Sequence, residues 1–148
     1  MKLGLGNLAQ GLMGNFSESS KEELTKKYGM YLIDGEEITS GYTLIRDAIV
    51  FTDRRIIFLD HQGATGKKTS VKSIYLMNII DVEMETAGAG MDDSEIEITF
   101  LKNVKRKAHS ESFDSMKFEF PKRLDIVPLY RFLINLAYNN RLEINSGE

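Results

Sequence analysis

The stretch Val50-Phe51-Thr52-Asp53-Arg54-Arg55-Ile56-Ile57-Phe58-Leu59-Asp60 decides the fold of this chain. β-Branched and aromatic residues lie on both sides of a short polar break at Thr52-Asp53-Arg54. This pattern predicts two antiparallel strands joined by a tight hairpin turn. Further strand-length runs with polar or glycine-rich breaks fill residues 36–120. The sequence therefore predicts a mainly β domain.

Seven strands are predicted in this region: Glu36–Leu44, Ala48–Thr52, Arg55–Asp60, Lys68–Tyr75, Ile79–Glu85, Ser94–Leu101 and Met116–Phe120. The glycines of His61-Gln62-Gly63-Ala64-Thr65-Gly66-Lys67 predict a second hairpin, because glycine adopts positive φ at low cost. The stretch Lys105–Phe113 is compatible with either a loop or an additional hairpin arm.

Helical patterns precede the strands. Leu5, Leu8, Leu12 and Phe16 recur at helical spacing, but interspersed glycines weaken this segment, so we expect it to order only against another surface. Ser20 and Glu23 have the capping-box spacing of a second helix. We expect that helix to end at Gly29 or at Asp34-Gly35.

A third helix is predicted after the last strand. Asp125 is a suitable N-cap, Pro128 fits the first turn, and Asn139-Asn140 is the expected stop. An apolar stripe should plug one end of a barrel, through Ile126, Leu129, Leu133, Leu136 and Ala137. The expected organisation is an N-terminal helical extension at residues 1–34, a barrel with its capping helix at 35–140, and a tail at 141–148.

The composition bounds the possible functions. A chain of 148 residues fits one domain, and 19 basic against 22 acidic residues give a net charge of −3, which argues against nucleic acid as the main partner. The absence of cysteine excludes disulfides and fits a reducing cytoplasm. No apolar stretch approaches the ~18–20 residues needed to span a bilayer. We therefore expect a soluble cytoplasmic protein.

Specific motifs resemble those of bacterial pleckstrin-homology-like (PH-like) domains. The resemblance covers roughly residues 34–138, and four stretches carry it: the Val50–Asp60 hairpin, Gly63-x-x-Gly66-Lys67-Lys68, Tyr75-Leu76-Met77-Asn78-Ile79, and Glu85-Thr86-Ala87-Gly88 before Glu95-Ile96-Glu97-Ile98. It implies a seven-stranded α+β barrel of two antiparallel sheets with a C-terminal capping helix. It also implies association into a cyclic homo-oligomer, with a pentamer-like ring favoured. The N-terminal zone and Lys102–Asp114 are longer than a minimal domain needs.

The most distinctive polar cluster is Asp53, Arg54 and Arg55 on the central hairpin. One interpretation is a site for an anion or a protein partner. In the other, Asp53 binds turn amides while the arginines pair with nearby acids. Aspartate commonly forms turns, which favours the second interpretation.

Two predicted strands carry an acidic face. Strand alternation places Asp81, Glu83 and Glu85 on one side, and Asp93, Glu95 and Glu97 on one side of the next strand. If the strands pair, six carboxylates share a face, and like charges facing each other are unfavourable. The face is either simply solvated or receives basic groups. The candidates are Lys68 and Lys72, or the run Lys102–Lys107 with Lys105 and Lys107, in the same subunit or a neighbour.

No catalytic constellation is visible in the sequence. His61 and His109 lack the companions of a zinc site, and Met91–Glu95 lacks the spacing of a calcium loop. No catalytic residue, cofactor or metal is therefore predicted. The first hairpin, Leu44–Asp47, offers a single arginine, which is too few for phosphoinositide binding. We expect a non-enzymatic module that self-assembles and binds an unknown protein. The alternative is a peripheral module that binds anionic membranes through the N-terminal stripe and residues 102–107.

Overall fold

A computed structural model describes residues 19–44, 47–62, 68–88 and 93–146. Its elements are α1 (Lys21–Tyr28), β1 (Ile38–Thr43), β2 (Asp47–Thr52), β3 (Arg55–Gln62), β4 (Lys68–Tyr75), β5 (Ile79–Glu85), β6 (Ser94–Leu101), β7 (Phe113–Phe120) and α2 (Val127–Ile144), with short 3-10 turns at Gly29–Tyr31 and Leu76–Asn78. The predicted stripe from Leu5 to Phe16 and the hairpin tip at 63–67 lie outside the described residues.

The strands form two antiparallel sheets, one of four strands in the order β1-β2-β3-β4 and one of three in the order β5-β6-β7. The prediction of seven strands in two antiparallel sheets is confirmed. The chain divides into two compact units, and within the described residues the first sheet belongs to the unit that ends at Leu76 while the second belongs to the unit that begins at Met77.

The central hairpin forms where the sequence predicts it. β2 ends at Thr52 and β3 begins at Arg55, which leaves Asp53-Arg54 as a two-residue turn. Thr52 Oγ1 accepts hydrogen bonds from the backbone N–H groups of Arg54 at 3.0 Å and Arg55 at 2.9 Å. The threonine side chain thereby satisfies donors that the turn leaves without a ladder partner.

The predicted start and end of α1 are both confirmed. Ser20 Oγ accepts the Glu23 N–H at 3.1 Å, and its hydroxyl donates to Glu23 Oε1 at 3.3 Å. Gly29 is the C-cap residue. The turn at Asp34-Gly35 follows, and Gly35 adopts a φ of 83°, which a side chain would strain.

α1 packs against one face of the four-stranded sheet. Its buried Leu24 and Tyr28 join an apolar cluster with Ile38, Ala48, Val50, Ile57 and Leu59. Gly41 permits this close approach, because a Cβ there would lie 2.8 Å from the Ile49 carbonyl oxygen and 3.1 Å from Leu24 Cδ1. The segment preceding β1 is thus an integral part of the first unit's core.

α2 packs against β5 in the second unit. Its buried residues are Leu129, Leu133, Leu136 and Ala137 of the predicted stripe, with Phe132 and Asn140 in addition. The predicted N-cap at Asp125 is wrong by one position, because Ile126, the first residue of the stripe, is the N-cap residue and is buried there. The predicted stop at Asn139-Asn140 is wrong, because the helix continues to Ile144. The Asn140 side chain does not cap the helix; its Nδ2 instead donates to the Ile79 carbonyl oxygen at 2.8 Å. Asn145 is the C-cap residue.

The connection between β6 and β7 is a loop, so of the two alternatives predicted for Lys105–Phe113 the structure shows the loop and not an additional hairpin arm. β7 begins at Phe113, three residues before the predicted Met116. The Lys102 N–H donates to the Ser112 carbonyl oxygen at 2.8 Å, which extends the ladder by one step, and the residues between form turns. Three hydrogen bonds join this connection to the end of α2. Arg106 Nη1 donates to Glu143 Oε1 at 2.8 Å and Arg106 Nη2 to the Asn140 carbonyl oxygen at 3.3 Å, while Lys107 Nζ donates to the Ser146 carbonyl oxygen at 3.3 Å.

Candidate interaction surface

One face of the three-stranded sheet carries regularly spaced charges, and we call it the acidic face. The ladder places Glu83 opposite Glu97 and Glu85 opposite Glu95, so the predicted pairing of the two acidic strands is confirmed. β7 extends both rows, with Lys117 opposite Glu97 and Glu119 opposite Glu95. The two rows are Glu85–Glu95–Glu119 and Glu83–Glu97–Lys117, which together hold five carboxylates and one ammonium group.

Sequence reasoning missed the contribution of β7 to this face. Alternation along Met116–Phe120 sends Lys117 and Glu119 to the side opposite Phe118 and Phe120, so the signal was present. Only the strand order shows that this side joins the row of glutamates. Asp93, predicted to share the face, lies just before β6 and is exposed.

The acidic face is weakly compensated within its own unit. Lys117 Nζ lies 3.6 Å from Glu95 Oε1, and the two side chains are 52% and 27% exposed, so the pair contributes only about 0–1 kcal/mol. In the described part of the chain, no ion pair reaches Glu83, Glu85, Glu97 or Glu119. Glu83, Glu85 and Glu97 line a shallow depression together with Met84, Glu95 and Lys117. Repulsion between carboxylates that face each other across paired strands destabilises the sheet unless a cationic group binds between them.

The basic run at residues 102–107 does not supply that cation within the subunit. Arg106 is bound by Glu143 and by the Asn140 carbonyl oxygen at 3.3 Å, and Lys107 by Ser146. Cations at the C-terminal end of a helix also interact favourably with the helix dipole. Arg106 and Lys107 therefore fasten the β6–β7 connection to α2, whereas Lys105 is exposed beside a fully exposed Val104.

The central hairpin holds a buried ion pair at Arg55. Its Nε and Nη2 donate to Glu36 Oε2 at 2.8 Å and Oε1 at 2.9 Å, and the carboxyl side chain is fully buried. The remaining donors reach Ser73 Oγ at 2.8 Å and the Tyr31 carbonyl oxygen at 2.7 Å. Arg55 therefore ties the loop after α1 to both β3 and β4.

The Glu36 carboxylate is fully satisfied. Besides Arg55, it accepts from Thr52 Oγ1 at 2.7 Å and from the Ile33 N–H at 3.0 Å. Burial by itself raises the pKa of this carboxyl, but the hydrogen bonds from Arg55, Thr52 and Ile33 outweigh it and lower the pKa to about 2. The pKa of Arg55 is raised by its hydrogen bond to Glu36.

The other two residues of the hairpin cluster also bond within the fold. Asp53 Oδ1 accepts the Glu37 N–H at 3.0 Å, and Arg54 Nη1 donates to the Asp34 carbonyl oxygen at 3.1 Å. Only Arg55 pairs with an acid, as the second interpretation expects; Asp53 binds the Glu37 N–H and not an amide of its own turn, and Arg54 binds a carbonyl oxygen and not an acid. Sequence reasoning missed that acid, Glu36, because no spacing rule links it to a residue nineteen positions away.

Within residues 19–44, 47–62, 68–88 and 93–146, no three histidine, aspartate or glutamate side chains are grouped so as to hold a metal ion. Over the same ranges, no helix combines the length and apolar character that crossing a membrane requires.

Comparisons with known proteins agree with this architecture. The family model described as the bacterial PH domain matches residues 7–137. The Bacillus subtilis protein YjqA is 40% identical over 103 residues, which is 70% of this chain and 82% of YjqA. The Bacillus subtilis protein YozO is 44% identical over 59 residues, or 40% of this chain and 51% of YozO.

Solved structures give the same result. The pleckstrin-homology domain from Shewanella amazonensis SB2B is 32% identical, with a TM-score of 0.60, over 86% of this chain and 96% of that one. A DUF1696 family protein with a pleckstrin-homology domain, from Shewanella loihica PV-4, is 32% identical with a TM-score of 0.63, over 82% and 96% of the two chains. Since the family model matches residues 7–137 and two solved pleckstrin-homology domains are 32% identical over more than four fifths of the chain, the chain belongs to the bacterial PH domain family.

Proposed function

We propose that this bacterial PH domain is a non-catalytic binding module that assembles into a closed homo-oligomeric ring and recruits a basic protein segment through its acidic face. The observation that carries the proposal is the arrangement of five carboxylates and one lysine in two rows across β5, β6 and β7. A partner with lysine or arginine side chains would relieve the repulsion along each row.

The exposure of this face supports binding over chemistry. Glu83 and Glu85 are exposed and the depression between the rows is shallow. Acid–base catalysis by paired carboxylates requires an enclosed site that moves their pKa values apart, and an open strand face does not provide one. A flat charged surface instead steers a partner of opposite charge and binds it in a salt-dependent way.

A charge-removal experiment tests the recruitment. Fluorescence anisotropy would measure binding of a labelled oligo-lysine peptide to the wild type and to Glu83→Gln/Glu95→Gln/Glu97→Gln. We expect the triple variant to bind at least tenfold more weakly, and wild-type binding to weaken with salt. The matched control is Glu22→Gln/Glu37→Gln/Glu111→Gln, which removes three exposed carboxylates elsewhere. Equal loss in both variants would show that net charge, and not this face, attracts the peptide.

Native mass spectrometry tests the assembly. The expected spectrum is one closed oligomer, with a pentamer favoured, and its mass should not grow with protein concentration as an open filament would. A monomer at micromolar concentration would contradict the ring.

A second candidate function is peripheral membrane binding, favoured by one observation. Val104 is fully exposed at the tip of the β6–β7 connection, between the exposed Lys102 and Lys105. An apolar side chain flanked by cations suits an anionic membrane surface. Co-sedimentation with vesicles containing phosphatidylserine tests this, and a loss of binding in Val104→Asp that is absent in Val127→Asp would favour it.

A further inference from the structure

The outward side of α2 carries a second apolar stripe. Helical geometry, with about 3.6 residues per turn, places four apolar side chains within an arc of about 80°, opposite the buried side that holds the core residues of α2. We call these four residues the outer stripe: Val127, Ile134, Tyr138 and Leu142. A helix at the surface of a domain normally has one apolar stripe and a polar outward side. The packing of α2 against β5 therefore does not account for the outer stripe.

The fold leaves the outer stripe in contact with solvent. Val127 is 40%, Leu142 is 55% and Tyr138 is 61% exposed, while Ile134 is partly buried. From Val127 to Leu142 the stripe runs about 22 Å along the helix axis. Single exposed apolar residues are common on protein surfaces, whereas a continuous exposed row of them marks an interaction site.

The charged residues beside the outer stripe are basic. Arg131 is exposed in the middle of the row, and Arg141 lies at its margin, where its Nε donates to the Ile80 carbonyl oxygen at 2.7 Å. In the described part of the chain, no ion pair reaches either guanidinium group. The acidic residue of α2 is Glu143, and its carboxylate already accepts from Arg106. The outer stripe therefore combines apolar contacts with positive charge that the subunit does not neutralise.

The spacing of the outer stripe indicates which kind of partner fits it. Steps of seven, four and four residues follow one side of a straight helix, and such a row packs against a second helix whose apolar residues recur every three and four positions. Glutamate or aspartate beside those residues would pair with Arg131 and Arg141. A second copy of this chain fits less well, because two outer stripes would bring four arginines and no available carboxylate into one contact.

We infer that the outer stripe of α2 is a docking site for an amphipathic helix of another protein, one with an apolar side flanked by acidic residues. Tyr138 and Leu142, the most exposed members of the stripe, supply the main apolar contact, and Arg131 pairs with a carboxylate of the partner. The site shares no residue with the acidic face on β5, β6 and β7. The inference therefore depends neither on recruitment of a basic segment nor on ring assembly.

A designed helix tests the docking site. The probe is a labelled peptide of about 21 residues with leucine and isoleucine at the two core positions of each heptad and glutamate beside them. Fluorescence anisotropy should show saturable binding to the wild type. We expect Tyr138→Gln/Leu142→Gln to bind the probe at least about tenfold more weakly. The matched control is Met30→Gln/Ile33→Gln, which removes two exposed apolar side chains from the first unit and should bind like the wild type.

Charge variants test the pairing with Arg131. Arg131→Glu should weaken binding of the acidic probe, whereas Lys105→Glu, an exposed cation on the β6–β7 connection, should leave it unchanged. A second probe with glutamine in place of glutamate should bind the wild type more weakly than the acidic probe does. All variants should keep the circular dichroism spectrum of the wild type, because each replaces an exposed side chain.

A fluorophore locates the bound probe, and the absence of cysteine from the chain makes the labelling specific. An environment-sensitive dye on Asn139→Cys, an exposed position beside the outer stripe, should shift its emission when the acidic probe binds. The same dye on Met30→Cys should not respond. A response at Met30→Cys and none at Asn139→Cys would place the probe elsewhere and refute the site.

Four further results would overturn the inference. Absence of saturable binding, or equal weakening in both double variants, would show that the outer stripe does not bind the probe. An oligomer whose mass in light scattering falls in Tyr138→Gln/Leu142→Gln, but not in Met30→Gln/Ile33→Gln, would show that a second copy covers the stripe. Co-sedimentation with phosphatidylserine vesicles that is lost in Tyr138→Gln/Leu142→Gln would show that the stripe contacts a membrane instead.

Discussion

Replacement of Glu36 by glutamine should measure how much the buried ion pair with Arg55 contributes to the free energy of unfolding. The variant keeps the shape of the side chain but leaves the Arg55 guanidinium, 11% exposed, facing an amide in place of a carboxylate. Removing one partner of a buried pair costs about 3–5 kcal/mol. Lowering the Glu36 pKa from 4.5 to about 2 corresponds to a stabilisation on the order of 3 kcal/mol, which agrees with this range.

The lowered pKa of Glu36 determines in which direction the free energy of unfolding changes with pH. Because the folded pKa of Glu36 lies below its unfolded value, the stabilisation is complete above about pH 4.5 and is lost as the pH falls toward 2. Wild type should therefore lose on the order of 3 kcal/mol more than Glu36→Gln between pH 5 and pH 2. The difference in free energy of unfolding between wild type and Glu36→Gln should be largest at pH 7 and should disappear as the pH is lowered.

Urea unfolding followed by circular dichroism, at the same protein concentration for every variant, measures both the cost of the substitution and its pH dependence. Glu37→Gln, at the exposed neighbouring position, serves as the control and should cost less than about 0.5 kcal/mol. Glu36→Gln/Arg55→Met should be less destabilised than the sum of the two single variants. A cost below about 1 kcal/mol at pH 7, or a gap that does not close in acid, would refute the reasoning.

Three further predictions concern the packing of the helices. Leu133→Ala, at a buried position of α2, should lower the free energy of unfolding by about 2–5 kcal/mol. Leu142→Ala, on the exposed side of the same helix, should lower it by less than about 1 kcal/mol. Equal losses in urea unfolding would mean that α2 does not pack through Leu133. Ser20→Ala should cost about 0.5–2 kcal/mol through loss of the cap on α1, and Ser20→Asp should retain most of that stability in thermal melts. Deletion of residues 1–16 should leave a cooperative melt and an unchanged circular dichroism spectrum; a molten product would place part of the core in that segment.

The order of elements could be predicted from the sequence because each depends on local physics. Alternation of apolar and polar residues predicted both ends of β5 and β6 correctly. The spacing of Ser20 and Glu23 predicted the start of α1, and the polar break Thr52-Asp53-Arg54 predicted the central turn. The same alternation placed Glu83, Glu85, Glu95 and Glu97 on one face. Each of these features is set by neighbours within a few positions along the chain.

Tertiary structure decided what those residues do. Asn140 looked like a helix stop because asparagine often ends helices, yet the Ile79 carbonyl oxygen it binds lies sixty-one positions away. Arg55 was expected either to bind an anion or a partner or to pair with a nearby acid, and only the loop after α1 identifies that acid as Glu36. The joining of Lys117 and Glu119 to the glutamate rows follows from strand order. The sequence alone determined the type and order of the strands, turns and helices, whereas the end of α2, the partners of Asn140 and the Arg55–Glu36 ion pair depend on contacts between distant segments that no local spacing encodes.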